Sequence, residues 1–195
     1  MKKLSLFIGP VLFLIAEIVL PGGSADPATR VEIIRNNSAA WDLGHQIIAL
    51  AFVFLFFLVF DVYNKVKNGN GWMAGLGAFL SVFALAGDYG IGILQLLASD
   101  LVRSMPADFG LSALGVMAAS SNLLLLAFLP TLGFLFGFGF LGFALYRNNR
   151  AVLPAALFVL SGLLISAGGM IQSKIVFIVG ALALVGFAYF YSKTE

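Results

Sequence analysis

The stretch GLSALGVMAASSNLLLLAFLPTLGFLFGFGFLGFALY, residues 110–146, decides how many times this chain crosses a membrane. It is apolar from end to end. As one straight helix at ~1.5 Å per residue it would be ~55 Å long, nearly twice a hydrocarbon core of ~30 Å. Reading two spans in it would reverse the side of everything that follows. The crossing is therefore assigned to the later part, about 121–146, with Pro130 as the expected kink. The segment FGLSALGVMAASSN before it is expected to lie along the outer surface or to extend the span.

The remainder of the chain fits the same scheme. Hydrophobic residues make up 61% and charged residues only 10%, against about a quarter charged in soluble domains, and mean hydropathy is +1.04. The apolar residues come in blocks of about 20, the length of a membrane-crossing helix. Helices follow because lipid cannot satisfy an open strand edge. The prediction is one all-α transmembrane domain over residues 1–195, a polytopic integral membrane bundle of six transmembrane helices. The spans fall at about 4–20, 43–63, 72–98, 121–146, 152–172 and 175–191, with interfacial segments on the outer side at about 26–41 and 99–120.

The opening MKKLSLFIGPVLFLIAEIVLPGGSADPA has the lysines, apolar run and small residues of a secretory leader. Glu17 within that run is foreign to a leader, so a retained first span is expected. Basic residues then set the orientation. With both termini inside, the inner face carries Lys2, Lys3, Lys65, Lys67, Arg147, Arg150 and Lys193, and the outer face Arg30, Arg35, Arg103 and Lys174. Seven against four favours cytoplasmic N- and C-termini, in the plasma membrane by expectation.

In the outer loop, Asp26 is a natural N-cap and Pro27 a natural first helical residue. Val31, Ile34 and Trp41 are expected to give that helix an apolar side for the membrane interface. It either roofs a cavity or merely connects. In the second half of the chain no carboxylate occurs between Phe109 and Thr194. Gly133 with Gly137, and Gly162, Ser166, Gly169 and Ser173, form small-residue stripes suited to close helix contact. The last three spans are therefore expected to act as scaffold.

Chemistry concentrates in the first half. On the third span Gly77, Ser81, Ala84, Asp88, Gly92 and Gln95 share one helical face, while Leu76, Phe79, Leu80 and Phe83 fall mainly elsewhere. Asp88 should thus point inward, where intramembrane acids are found. Rise along the helices brings Glu17, His45 and Asp88 to a common level in the outer third of the layer, with Asp42 a turn above and Gln95 and Asn122 nearby. An acid at that depth is protonated, hydrogen-bonded, paired with His45 or an outer cation such as Lys174, or occupied by a bound cation.

The expected partners are membrane lipid and a small ligand, proton or cation in an outward-facing polar pocket, for transport or sensing. The alternatives are an intramembrane metal-assisted hydrolase and a non-catalytic accessory subunit. A net charge of +2 with scattered basic residues gives no footprint for nucleic acid. The chain has no cysteine, which excludes disulfides and thiolate chemistry. With one histidine, neither a three-histidine zinc site nor HExxH exists. No GxSxG elbow or nucleotide-binding glycine motif occurs, and no cofactor is assigned.

Overall fold

The computed structural model describes the backbone of residues 2–24, 26–119, 121–149 and 151–194, and their side chains except at 2–5, 107, 113, 117–119, 121–127 and 149. The described residues form α1 (Lys2–Val19), α2 (Pro27–Asn36), α3 (Ser38–Val66), α4 (Gly71–Ser104), α5 (Ala107–Ala119), α6 (Ser121–Asn149), α7 (Val152–Ile171) and α8 (Lys174–Ser192). Helices α3, α4, α7, α8 and the Phe128–Asn148 part of α6 are long and apolar enough to cross a membrane, and Leu6–Val19 of α1 is a shorter apolar helix. Large apolar side chains such as Phe57, Phe79 and Ile15 face outward, as contact with lipid requires. The chain is an all-α integral membrane bundle.

The long helices form a ring in chain order. Each of α1, α3, α4, α6, α7 and α8 packs on the next, α8 returns to α1, and α3 also reaches α6. Between helices in lipid, close approach is driven by dispersion rather than by exclusion of water, so missing side chains matter. At α4–α6, a Cβ on Gly77 would lie 2.8 Å from the Leu141 backbone N, and one on Gly137 would lie 2.6 Å from that of Ser81. The α6 stripe therefore meets a complementary stripe on α4. Gly162 sits against Phe134 and Phe138 in the same manner.

One half of the ring is filled by aromatic rings. Phe138 and Phe158 stack at 4.3 Å, Phe158 meets Phe187 at 4.4 Å, and Phe187 meets Tyr191 at 5.1 Å. At that end the Tyr191 hydroxyl donates to Asp61 at 3.0 Å, and Lys65 lies 4.5 Å above the Tyr191 ring.

The short helices cover the other end. Asp26 caps α2 by accepting from Thr29 N at 2.9 Å and Thr29 Oγ1 at 2.6 Å, and Pro27 opens the helix. These bonds hold the exposed Asp26 carboxyl below its ordinary range, the larger contribution coming from the Thr29 hydroxyl.

Three features of this end differ from the sequence reading. First, α4 continues past Ala98 to Ser104, and α3 begins at Ser38, so both long helices rise into what was read as interfacial segment. Second, Trp41 belongs to α3 rather than to the outer-loop helix. Third, Val31 and Ile34 face protein: with Trp41, Ala98, Val102 and Leu114 they make a separate small core. Neighbours on the extended α4 and on α5 offer α2 an apolar partner better packed than the headgroup layer. Pro130 lies inside α6, where its ring fills the space left by the absent side chain of Gly87.

Candidate functional site

Where the aromatic filling stops, the ring encloses a cavity of about 300 Å³ beneath α2. All six ring helices line it, not the first three alone, because ring closure brings Thr131, Phe134, Ile165, Ser166 and Lys174 to the same space as Glu17, His45 and Asp88. The second half of the chain is thus scaffold and wall together. The floor is apolar, formed by Phe13, Phe52, Phe134 and Ile165.

Helix register sets the levels. Gly44 allows the Leu20 side chain to press on α3, and Phe13 meets Phe52 with ring centroids 6.0 Å apart. Glu17, three residues before Leu20, is then ~4.5 Å deeper than Gly44, within ~1.5 Å of the height of Ile48. On α4, the Trp41 indole N–H donates to the Gln95 carbonyl at 3.2 Å. Seven residues down each helix, ~10 Å deeper, Asp88 on α4 and Ile48 on α3 fall at one height. Glu17 and Asp88 therefore share a level, with His45 one turn nearer the mouth.

Glu17 is buried, with 6% of its surface accessible, and Asp88 is half-buried on the cavity wall. Among the described residues neither carboxyl receives a hydrogen bond or forms an ion pair. The charged groups whose fields reach Glu17 are Lys174 and Asp88. His45 is held by Nδ1, 2.8 Å from the Trp41 carbonyl, and its ring lies 4.7 Å from the indole. A carbonyl only accepts, so Nδ1 carries the proton, and Nε2 of the neutral ring is left as an acceptor. Gln95 lines the cavity, and its Oε1 is buried without a partner among the described residues.

Cations gather at the mouth. Lys174 donates to the Ile18 carbonyl at 3.0 Å and to that of Leu20, which ties the start of α8 to the end of α1. Arg30 donates to the Ser24 carbonyl through Nε at 2.9 Å and Nη2 at 2.5 Å. Both line the cavity and keep further N–H groups after these bonds. Gln172, in left-handed conformation at φ 50°, ends α7 beside them.

Two sequence-selected residues are not brought into this group. Asp42 turns away from the cavity to pair with Arg103 at 2.9 Å, and Arg103 also pairs with Asp100 at 2.6 Å. Asn122 lies outside the residues whose side chains are described. Residues that sequence reasoning did not place at the site are Arg30, Trp41, Thr131 and Ser166. A signal existed for Trp41 alone, since it stands four residues before His45 on the same helical face. Ser166 donates across the α6–α7 boundary to the Thr131 carbonyl at 2.8 Å, a pairing that no local pattern announces.

Chemically the site offers two unpaired acids, one imidazole acceptor, two basic groups and an apolar floor. Among the described residues no three His, Asp or Glu side chains gather closely enough to hold a metal ion. No protein-family model, curated protein or solved structure matches the chain.

Proposed function

We propose that this membrane protein binds a small ligand carrying a positively charged group, which Glu17 and Asp88 take up between them while the apolar floor receives the ligand's body. One observation carries the reading: two acids share a level in a cavity, and among the described residues nothing pairs with either. An unpaired carboxyl in a low-dielectric setting costs free energy that a cationic partner recovers. When the ligand is absent, a proton satisfies each acid, so uptake of the ligand exchanges with protons. His45, one turn above, accepts a hydrogen bond from the ligand or relays the displaced proton. Such a site serves transport or sensing.

In the proposed orientation both chain termini are cytoplasmic and the mouth faces outward in the plasma membrane, supported by the excess of Lys and Arg at the terminal end. Reporter fusions to the C-terminus that prove active only outside the cell would overturn this.

The binding test uses purified protein in detergent, with thermal unfolding followed against phenethylamine, a primary amine on an apolar body. Stabilisation should saturate with amine concentration. Glu17→Gln and Asp88→Asn should each weaken it by about 10- to 100-fold, the value of one charge-assisted contact. If the doubly substituted protein responds to the amine as the parent does, the acids are not the site.

A further inference from the structure

We infer that the ligand is a zwitterion of amino-acid type, with an apolar body innermost, an ammonium group next to it and a carboxylate outermost. The inference rests on the binding role proposed for Glu17 and Asp88 and adds the order of charges along the cavity.

That order is read from the walls. Phe13, Phe52 and Phe134 form the floor, Glu17 and Asp88 stand above it, and Lys174 and Arg30 stand at the mouth. Lys174 is bonded to the carbonyls of Ile18 and Leu20, one and three residues beyond Glu17. At ~1.5 Å rise per residue, its anchor points are only ~1.5–4.5 Å nearer the mouth than the acids. Charges separated by a few bonds in one small molecule match this spacing.

Donor accounting supports an anionic group at the mouth. The lysine ammonium has three N–H donors, of which two go to carbonyls, and the guanidinium has five, of which two go to Ser24. Among the described residues the remaining donors reach no acceptor within hydrogen-bond distance. A ligand carboxylate supplies one. Charge accounting agrees: with both acids ionised around the bound ligand, two acids and two bases sum to zero, and a zwitterion adds no net charge. A simple cation would leave an excess charge in a low-dielectric site, which is costly.

Zwitterionic lipid headgroups share this chemistry in the opposite order, with phosphate next to the acyl chains and ammonium outermost. The cavity order selects a free amino-acid-like molecule. A cavity of about 300 Å³ is at the small end of ligand pockets, of ~300–1,000 Å³, and suits a single amino acid.

The experiment measures dissociation constants of the purified full-length protein for phenylalanine, phenylalaninamide, phenethylamine, N-acetylphenylalanine and glycerophosphoethanolamine. Phenylalanine should bind about 10- to 100-fold tighter than its amide or amine, and the N-acetylated acid should not compete. Lys174→Gln should narrow the gap between acid and amide, and Arg30→Gln, on a helix outside the ring, should narrow it without touching the α8–α1 junction. Equal binding of amide, amine and amino acid would overturn the zwitterion while leaving cation binding intact. Tighter binding of glycerophosphoethanolamine than of phenylalanine would overturn the charge order. If none of the five binds, the inference and the binding role beneath it both fall.

Discussion

Replacing Gly137 by alanine tests the account of how α4 and α6 are held together, and with it the direction in which Asp88 faces. The new Cβ would lie 2.6 Å from both the backbone N and the Oγ of Ser81 and 3.0 Å from the Leu80 carbonyl carbon. Carbon contacts settle at about 3.5–4.0 Å, so the helices must part by roughly 1 Å. The obstructing atoms include backbone, which no rotamer change can move aside. Overpacking of this kind costs about 1–3 kcal/mol. Alanine also gains up to ~1 kcal/mol over glycine in helix propensity, which partly masks the loss. Gly139, on the same helix, removes the ambiguity, because its Cβ would meet nothing within 4 Å. Gly139→Ala collects the same propensity gain without the clash, so the difference between the two variants is the overpacking cost itself. Reversible unfolding in mixed micelles should place Gly137→Ala about 1–3 kcal/mol below Gly139→Ala. Equal stabilities would refute the close α4–α6 contact, and with it the facing of Asp88 into the ring.

Two further outcomes follow from the packed half of the ring and from the short helix over the cavity. Phe158→Ala removes the middle of the stack between Phe138 and Phe187 and should cost about 3–5 kcal/mol in the same unfolding assay; a loss under 1 kcal/mol would mean that lipid or neighbouring rings refill the space. Asp26 has its carboxyl held below the ordinary value of 3.8 by Thr29, so its contribution to α2 is complete above about pH 4 and is lost as pH falls through the folded value. Amide exchange protection at Thr29 should drop across that acid window relative to core amides, and Asp26→Ala should remove the pH-dependent drop.

Much of this architecture is legible in one dimension because its cause is local. Blocks of about 20 apolar residues have to be helices in lipid, and Asp26-Pro27 is a start signal whose hydrogen bonds need nothing distant. The inward face of α4 was readable for the same reason: Gly77, Ser81, Ala84 and Asp88 recur at helical spacing, and a small or polar stripe has to avoid lipid. Depth was readable too, since a fixed rise per residue places Glu17 and Asp88 near one height once the spans are drawn. Asp42 shows the limit of that argument. It stands three residues before His45, on the neighbouring position of the same outer turn of α3, yet Arg103 on the extended end of α4 claims it.

What the amino-acid sequence determined by itself is therefore the presence and order of the apolar helices and the small or polar face of α4. Only the tertiary structure decided which helices become neighbours. The closing contact of the ring joins Lys174 to the carbonyl of Ile18, across 156 positions of chain, and makes a wall of the cavity from helices with no acid of their own. Periodicity carries no information about that choice, because a small-residue stripe fits any complementary stripe. The choice rests on dispersion contacts summed around the whole ring, to which each helix adds only its own part.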